Sequence, residues 1–247
     1  MYSSRKLRVL VFSDCMSYGC WIPKAKEAFY PAVLEKLLEQ EGVGAVVENA
    51  SGSGETTGDS LSRLEKDVLT REFDLLVYQC GINDALPRGL TRDQRGRIIR
   101  GMYRLGMNEK MRSLARTYFL NPLELVALKL RGPRYYSSVD QTSQNLVHTI
   151  NRIRNYFNQK IPIFVVSVNP VLNYRFGDAI HHVLACNQAL QEVCGSMEDV
   201  WYVDTCSAFM REDLPSLLDA DKFHLSEKGH LIMAENICGR MMEYLQK

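Results

Sequence analysis

The chain has 247 residues, 46% hydrophobic and 24% charged, which is enough for one large domain with a well-buried core and does not require a second. A formal net charge of +1 argues against a general binder of nucleic acid or of anionic membranes on average charge. Seven cysteines, an odd number with no Cys-x-x-Cys pair, do not resemble a disulfide framework or a structural zinc site, and suit a reducing compartment.

The first apolar run, Leu7–Phe12, is too short for a signal-peptide core or a membrane span, so a cytoplasmic protein without a membrane span is expected. It reads as a strand. Further strands are predicted near Gly44–Val47, Leu75–Gln79, Pro162–Val168 and Val200–Val203. Between them, helical periodicity covers roughly Pro23–Glu41, Asp59–Leu69, Val139–Asn158, Asp178–Cys194 and Ser226–Leu245. The last carries Leu231, Ala234, Ile237 and Met241 at the spacing of an apolar stripe. Alternating strands and helices predict an α/β fold with a parallel sheet covered on both faces, a single unit over residues 1–247.

Residues 85–136 interrupt the alternation with a helix-prone insertion. Its expected apolar faces are Ile98, Met102 and Leu105, then Met111, Leu114 and Tyr118. From Leu86 to Tyr135 there are twelve Lys or Arg against three Asp or Glu, a net of +9, which leaves −8 for the rest of a chain that carries +1. An insertion after a strand's C-terminal end lies beside the place where such sheets bind ligands, so a lid or docking element is expected.

Four separated motifs carry chemistry. Cys15 follows the first strand, where the turning backbone exposes a side chain and brings N–H groups near a developing oxyanion. A thiol attacks as thiolate, and an unperturbed cysteine with a pKa of ~8.5 is mostly protonated at neutral pH, so a basic partner is needed. His224 is the candidate partner, and Asp221, three residues earlier, is placed to accept the imidazole N–H and fix the tautomer; Asp219 is the weaker substitute. His148, His181, His182 and His230 read as structural. Gly54 lets its backbone N–H approach a substrate closely and Asn83 supplies an amide donor, so that with the Cys15 N–H they compose an oxyanion hole. Six arginines of the insertion, Arg88, Arg92, Arg95, Arg97, Arg100 and Arg104, are candidate contacts for an acyl donor. No metal-ligand cluster and no nucleotide loop is found, so catalysis without a cofactor is expected.

In this order the motifs resemble the SGNH, or GDSL, hydrolases. The segment Asn49-Ala50-Ser51-Gly52-Ser53-Gly54-Glu55-Thr56 is similar to that of bacterial lysophospholipase and thioesterase members. The resemblance implies a three-layer, flavodoxin-like sandwich on a five-stranded parallel sheet. It implies that Cys15, Gly54, Asn83 and His224 occupy the family's Ser, Gly, Asn and His positions, with Asp221 completing the triad. The first block departs from the family's Gly-Asp-Ser-Leu, reading Ser13-Asp14-Cys15-Met16. A literal Gly58-Asp59-Ser60-Leu61 follows the glycine block instead and opens a helix, so Ser60 is a decoy.

The leading expectation is an acyl-transfer enzyme, thioesterase, acyltransferase or hydrolase, that passes through an acyl-cysteine. Its partner would be a small-molecule ester or thioester, with an acyl carrier protein or coenzyme A thioester as candidate donor, and no nucleic acid. The alternatives are an ordinary carboxylester or sugar-ester deacylase, and a non-catalytic binding protein that retains the pocket.

Overall fold

A computed structural model describes residues 5–17, 26–176 and 179–246. Five parallel strands form one sheet in the order β2-β1-β3-β4-β5: β1 Leu7–Ser13, β2 Ala45–Ser51, β3 Leu75–Gln79, β4 Ile163–Val166 and β5 Val200–Val203. All of β3 and β4, and β1 from Val9 onward, are buried on both alternating faces, so the sheet is covered on both sides, as an all-parallel sheet must be.

The helices are α1 (Tyr30–Gln40), α2 (Thr57–Leu64), α3 (Ile82–Ala85), α4 (Arg92–Arg104), α5 (Glu109–Ala115), α6 (Asn121–Arg131), α7 (Val139–Phe157), α8 (Ile180–Ser196), α9 (Thr205–Met210), α10 (Leu214–Leu217) and α11 (Glu227–Leu245). One group packs α1 against α11, and a second packs α2 against α7 and α7 against α8. Their starts are written in the sequence. Thr56 with Asp59, and Thr91 with Gln94, form capping boxes at α2 and α4, while Ser138 and Ser226 cap α7 and α11. Each such cap contributes about 1 kcal/mol. Asn158, in the left-handed region at φ 49°, ends α7.

The five expected strands are all present, β3 and β5 with the expected ends. The second strand runs on to Ser51, which takes Asn49 into the strand. The helix expected over Pro23–Glu41 is described from a short 3₁₀ turn at Lys26–Ala28 and then as α1; Pro23 lies outside the described residues, as does Asp178. On α11 the inward stripe is His230, Met233, Ala234, Ile237, Cys238 and Met241. Leu231 is exposed, because it falls at the border of that stripe.

In the insertion, the buried side is made by Leu90, Leu120 and Ala127, with Ile98 and Ile99 packed on them. Met102 is buried, but Leu105, Met111, Leu114 and Tyr118 are exposed. In α4 the expected face is therefore the covered one for Ile98 and Met102 but not for Leu105, and in α5 and the turn after it the expected apolar residues face outward. No described helix is long and apolar enough to cross a membrane.

Candidate active site

The strand order reverses at β1, which pairs in parallel with β2 on one edge and β3 on the other. Such a switch point opens a crevice at the strands' C-terminal ends, and there the expected blocks gather. Gly52 N–H donates to Ser13 O at 2.9 Å, and Asp14 N–H donates to Gln79 O at 3.0 Å. These bonds hold the Cys15 turn between the loop after β2 and the end of β3.

Asp14 organises that turn from within. Its carboxylate accepts from Met16 N–H at 3.0 Å, from the Gln79 amide at 3.2 Å and from Ile82 N–H at 3.4 Å. Burial raises its pKa to about 6 against these bonds. Cys15 itself is not exposed as its place after the strand suggests but buried, with 4% exposure, because the turn is packed between its neighbouring loops. Ser13 is turned away, paired with the Ser17 hydroxyl in a buried contact that Asn49 joins at 3.0 Å. Ser60 lies inside α2, fully buried, and donates to Thr56 O at 3.2 Å, with Cys80 Sγ at the same distance. It has no access to the crevice.

Gly54 has φ +70° and open space where a Cβ would stand, so glycine is required there by backbone conformation. Asn83 sits in the first turn of α3 and is held at both ends of its amide. Its Nδ2 donates to Glu55 O at 3.0 Å, and its Oδ1 accepts from Arg88 at 2.9 Å. One of the two amide hydrogens is thereby used on the glycine loop, and the second remains for another acceptor.

His224 and Asp221 are joined as expected, Nδ1 to Oδ2 at 2.6 Å. The other carboxylate oxygen accepts from Phe223 N–H at 3.0 Å and His224 N–H at 2.9 Å. Desolvation works to raise the Asp221 pKa, but the His224 hydrogen bond and the two backbone donors outweigh it and bring it down to about 2. Lys222, at φ 55°, takes the left-handed turn between the two residues. The loop is fixed to the segment after β4 by Asn173, whose amide donates to Asp221 O at 2.7 Å, and by Leu172 N–H to Lys222 O at 3.0 Å. His224 Nε2 is buried and has no hydrogen-bond partner among the described residues. Asp219 contributes backbone bonds to this loop, so Asp221 is the imidazole's carboxylate partner.

Of the other histidines, His230 is buried against Tyr30 and Phe29, and His182 stacks on Tyr135 with ring centroids 3.5 Å apart; His148 and His181 are exposed. Among the described residues no group of three or more His, Cys, Asp or Glu side chains is gathered as a metal site.

The arginines divide. Arg88 is buried, its guanidinium over the Phe176 ring at 4.5 Å and the Tyr136 ring at 5.2 Å, and burial lowers its pKa to about 10. It is therefore not a surface contact for a donor, since its charge is spent on Asn83. Arg92 pairs with Asp59 at 2.6 Å and Arg95 with the buried Glu124 at 2.6 Å. Arg97, Arg100 and Arg104 are exposed.

Sequence reasoning missed Arg63. Its guanidinium donates to Ser13 O at 2.6 Å and Ala50 O at 3.0 Å, pairs with Glu55 at 2.5 Å and Asp67 at 2.9 Å, and lies over the Phe12 ring at 4.3 Å. It ties the ends of β1 and β2 to the glycine loop. Its spacing within α2 gave no signal, because every partner except Asp67 is distant in sequence.

The description that matches this chain is the GDSL-like lipase/acylhydrolase family, over residues 14–232. The chain belongs to that family of hydrolases. It is 26% identical to the esterase TesA of Pseudomonas aeruginosa over 78% of this chain and 85% of that protein. It is 35% identical to an arylesterase of Vibrio mimicus, over only 32% of this chain and 38% of that one. A lipase/acylhydrolase from Enterococcus faecalis shares the fold, with a TM-score of 0.67, 18% identity and 96% of each chain covered.

Proposed function

We propose that the chain is an acyl-transfer enzyme that attacks the carbonyl of a small ester or thioester with the Cys15 sulfur. His224 Nε2 takes the thiol proton as the S–C bond forms, and Asp221 holds the imidazole and stabilises its positive charge. The negative charge that develops on the carbonyl oxygen is met by the Gly54 N–H, the remaining Asn83 amide hydrogen and the Cys15 N–H. Collapse of the tetrahedral species expels the alcohol or thiol, which His224 protonates, and leaves an acyl-cysteine. That product is itself a thioester, open to water and equally to an amine or thiol acceptor. The observation that supports the reading is the Asp221–His224 bond at 2.6 Å with a buried Nε2 that has no hydrogen-bond partner among the described residues.

A second reading, an ordinary carboxylester or sugar-ester deacylase with cysteine in the serine position, is supported by the names of the relatives, both esterases. Paired oxygen and sulfur esters of the same acyl group separate the two. The first reading expects thioesters to be cleaved at least as fast as esters, with both activities lost in Cys15→Ala. If Cys15→Ala retains wild-type rates, both fail; if wild type turns over neither class and forms no adduct yet binds these donors, the non-catalytic binding role gains. A coenzyme A or acyl carrier donor rests on Arg97, Arg100 and Arg104 alone, since Arg88, Arg92 and Arg95 are engaged within the protein.

A further inference from the structure

From Glu109 to Arg131 the chain is helical throughout: α5 and α6 are joined by a π-type turn at Arg116–Leu120, with right-handed helical backbone at both joins. At 1.5 Å per residue the run is roughly 35 Å long. Its inward side is fixed. Leu120 and Ala127 pack with Leu90, Glu124 pairs with Arg95, and Asn121 accepts from Arg175 at 3.2 Å. The opposite side carries Met111, Leu114, Tyr118, Val126 and Leu130 at intervals that repeat the helical turn, all exposed, with Tyr118 at 77% and Leu130 at 80%. A continuous apolar stripe of this kind is not an ordinary solvated surface.

Cations are interleaved with it. Lys110 precedes Met111, and Lys129 and Arg131 bracket Leu130 within the run, while at the end of α4 Arg104 stands between the exposed Tyr103 and Leu105. None of these four makes a salt bridge among the described residues. The insertion's +9 stands against −8 elsewhere, so a negatively charged plane attracts the insertion and repels the body, which orients the molecule.

We infer that the outward face of this insertion lies on an anionic lipid bilayer. Leucine, methionine and aromatic side chains on one face, interleaved with arginine and lysine, are the composition of a helix that lies in the headgroup plane. The stripe is a ridge along a helix, which suits a plane, and anionic headgroups complement the unpaired cations. The inference is independent of the role of Cys15, because binding is read without turnover.

The test is vesicle co-sedimentation of the full chain, with phosphatidylcholine vesicles set against vesicles containing 30% phosphatidylglycerol. Partitioning onto the anionic vesicles is expected to be roughly a hundredfold or more above the neutral ones and to fall as salt rises to about 0.5 M. Each surface cation is worth about a fivefold change in partitioning. A triple change Arg104→Gln, Lys129→Gln, Arg131→Gln should therefore lower it roughly a hundredfold. Tyr118→Ser with Leu130→Ser should lower it roughly tenfold through the apolar contribution. Lys36→Gln, an exposed cation on α1, should change it far less. Circular dichroism and the melting temperature confirm that each variant is folded. Equal sedimentation with both vesicle types, or losses no larger in the stripe variants than in Lys36→Gln, would overturn the inference. So would a concentration-dependent dimer, or a complex with an acidic carrier protein, that the stripe variants abolish while no vesicle binding is seen.

Discussion

Arg88 donates to Asn83 Oδ1 at 2.9 Å from a buried position between Phe176 and Tyr136. The first residues of the insertion thereby set the orientation of the amide that the proposed oxyanion hole requires. With Oδ1 held, Nδ2 must face the glycine loop, where it meets Glu55 O.

Arg88→Met should consequently act on catalysis more than on stability. It removes a buried charge together with its desolvation cost, so the melting temperature is expected to shift little. The freed amide loses its orientation, and kcat should fall roughly tenfold to a hundredfold with KM for a small ester nearly unchanged. Steady-state kinetics with thermal melts on the same samples check this. A large drop in melting temperature with unchanged kcat would assign Arg88 to stability alone.

Asp221→Asn keeps the shape of the loop but removes the carboxylate that fixes the imidazole. The rate of acyl-enzyme formation should fall roughly 10²–10⁴-fold, read by stopped-flow with a chromogenic thioester. The depressed pKa of Asp221, about 2, also means that the folded state loses this carboxylate's contribution only as pH falls from about 4 towards 2.

Asp14 should have the opposite signature. Its folded pKa of about 6 lies above the ordinary 3.8, so between those values the folded state holds a proton that the unfolded chain releases. Stability therefore falls as pH rises through that window and stays lower above it, by on the order of 3 kcal/mol at most. Urea midpoints from pH 3.5 to 7 should show this decline in wild type and a flatter profile in Asp14→Asn. Parallel profiles would contradict the burial argument.

Ser60→Ala should leave activity intact. The hydroxyl bonds to Thr56 O at the start of α2 and to Cys80 just after β3, both within the buried interior, and their loss should cost about 1 kcal/mol, visible in a denaturation curve. An activity loss as large as that of Cys15→Ala would make Ser60, with its literal Gly-Asp-Ser-Leu context, a functional residue.

Much of this architecture was legible because its signals are local. Leu75–Gln79 and Val200–Val203 are short apolar runs between turn formers, and Val139–Phe157 opens on a serine cap and ends at Asn158. Asp221 and His224 are three residues apart, so their pairing could be read directly. What could not be read depends on distant partners. Arg63 gathers Ser13, Ala50 and Glu55 from two strand ends and a loop, and Arg88 meets Phe176 across the crevice. The outward placement of Leu105, Met111, Leu114 and Tyr118 has a related cause. Periodicity shows that a helix has an apolar side, but only the location of Leu90, Leu120 and Ala127 decides which side the protein covers.

The most direct measurement is intact-mass spectrometry after brief exposure to a panel of acyl thioesters and activated esters, run on wild type, Cys15→Ala and His224→Ala. The account predicts one acyl adduct on wild type, mapped to Cys15, none on Cys15→Ala, and slow formation on His224→Ala. An adduct that persists in Cys15→Ala, or turnover of these donors with Cys15 never acylated, would contradict it.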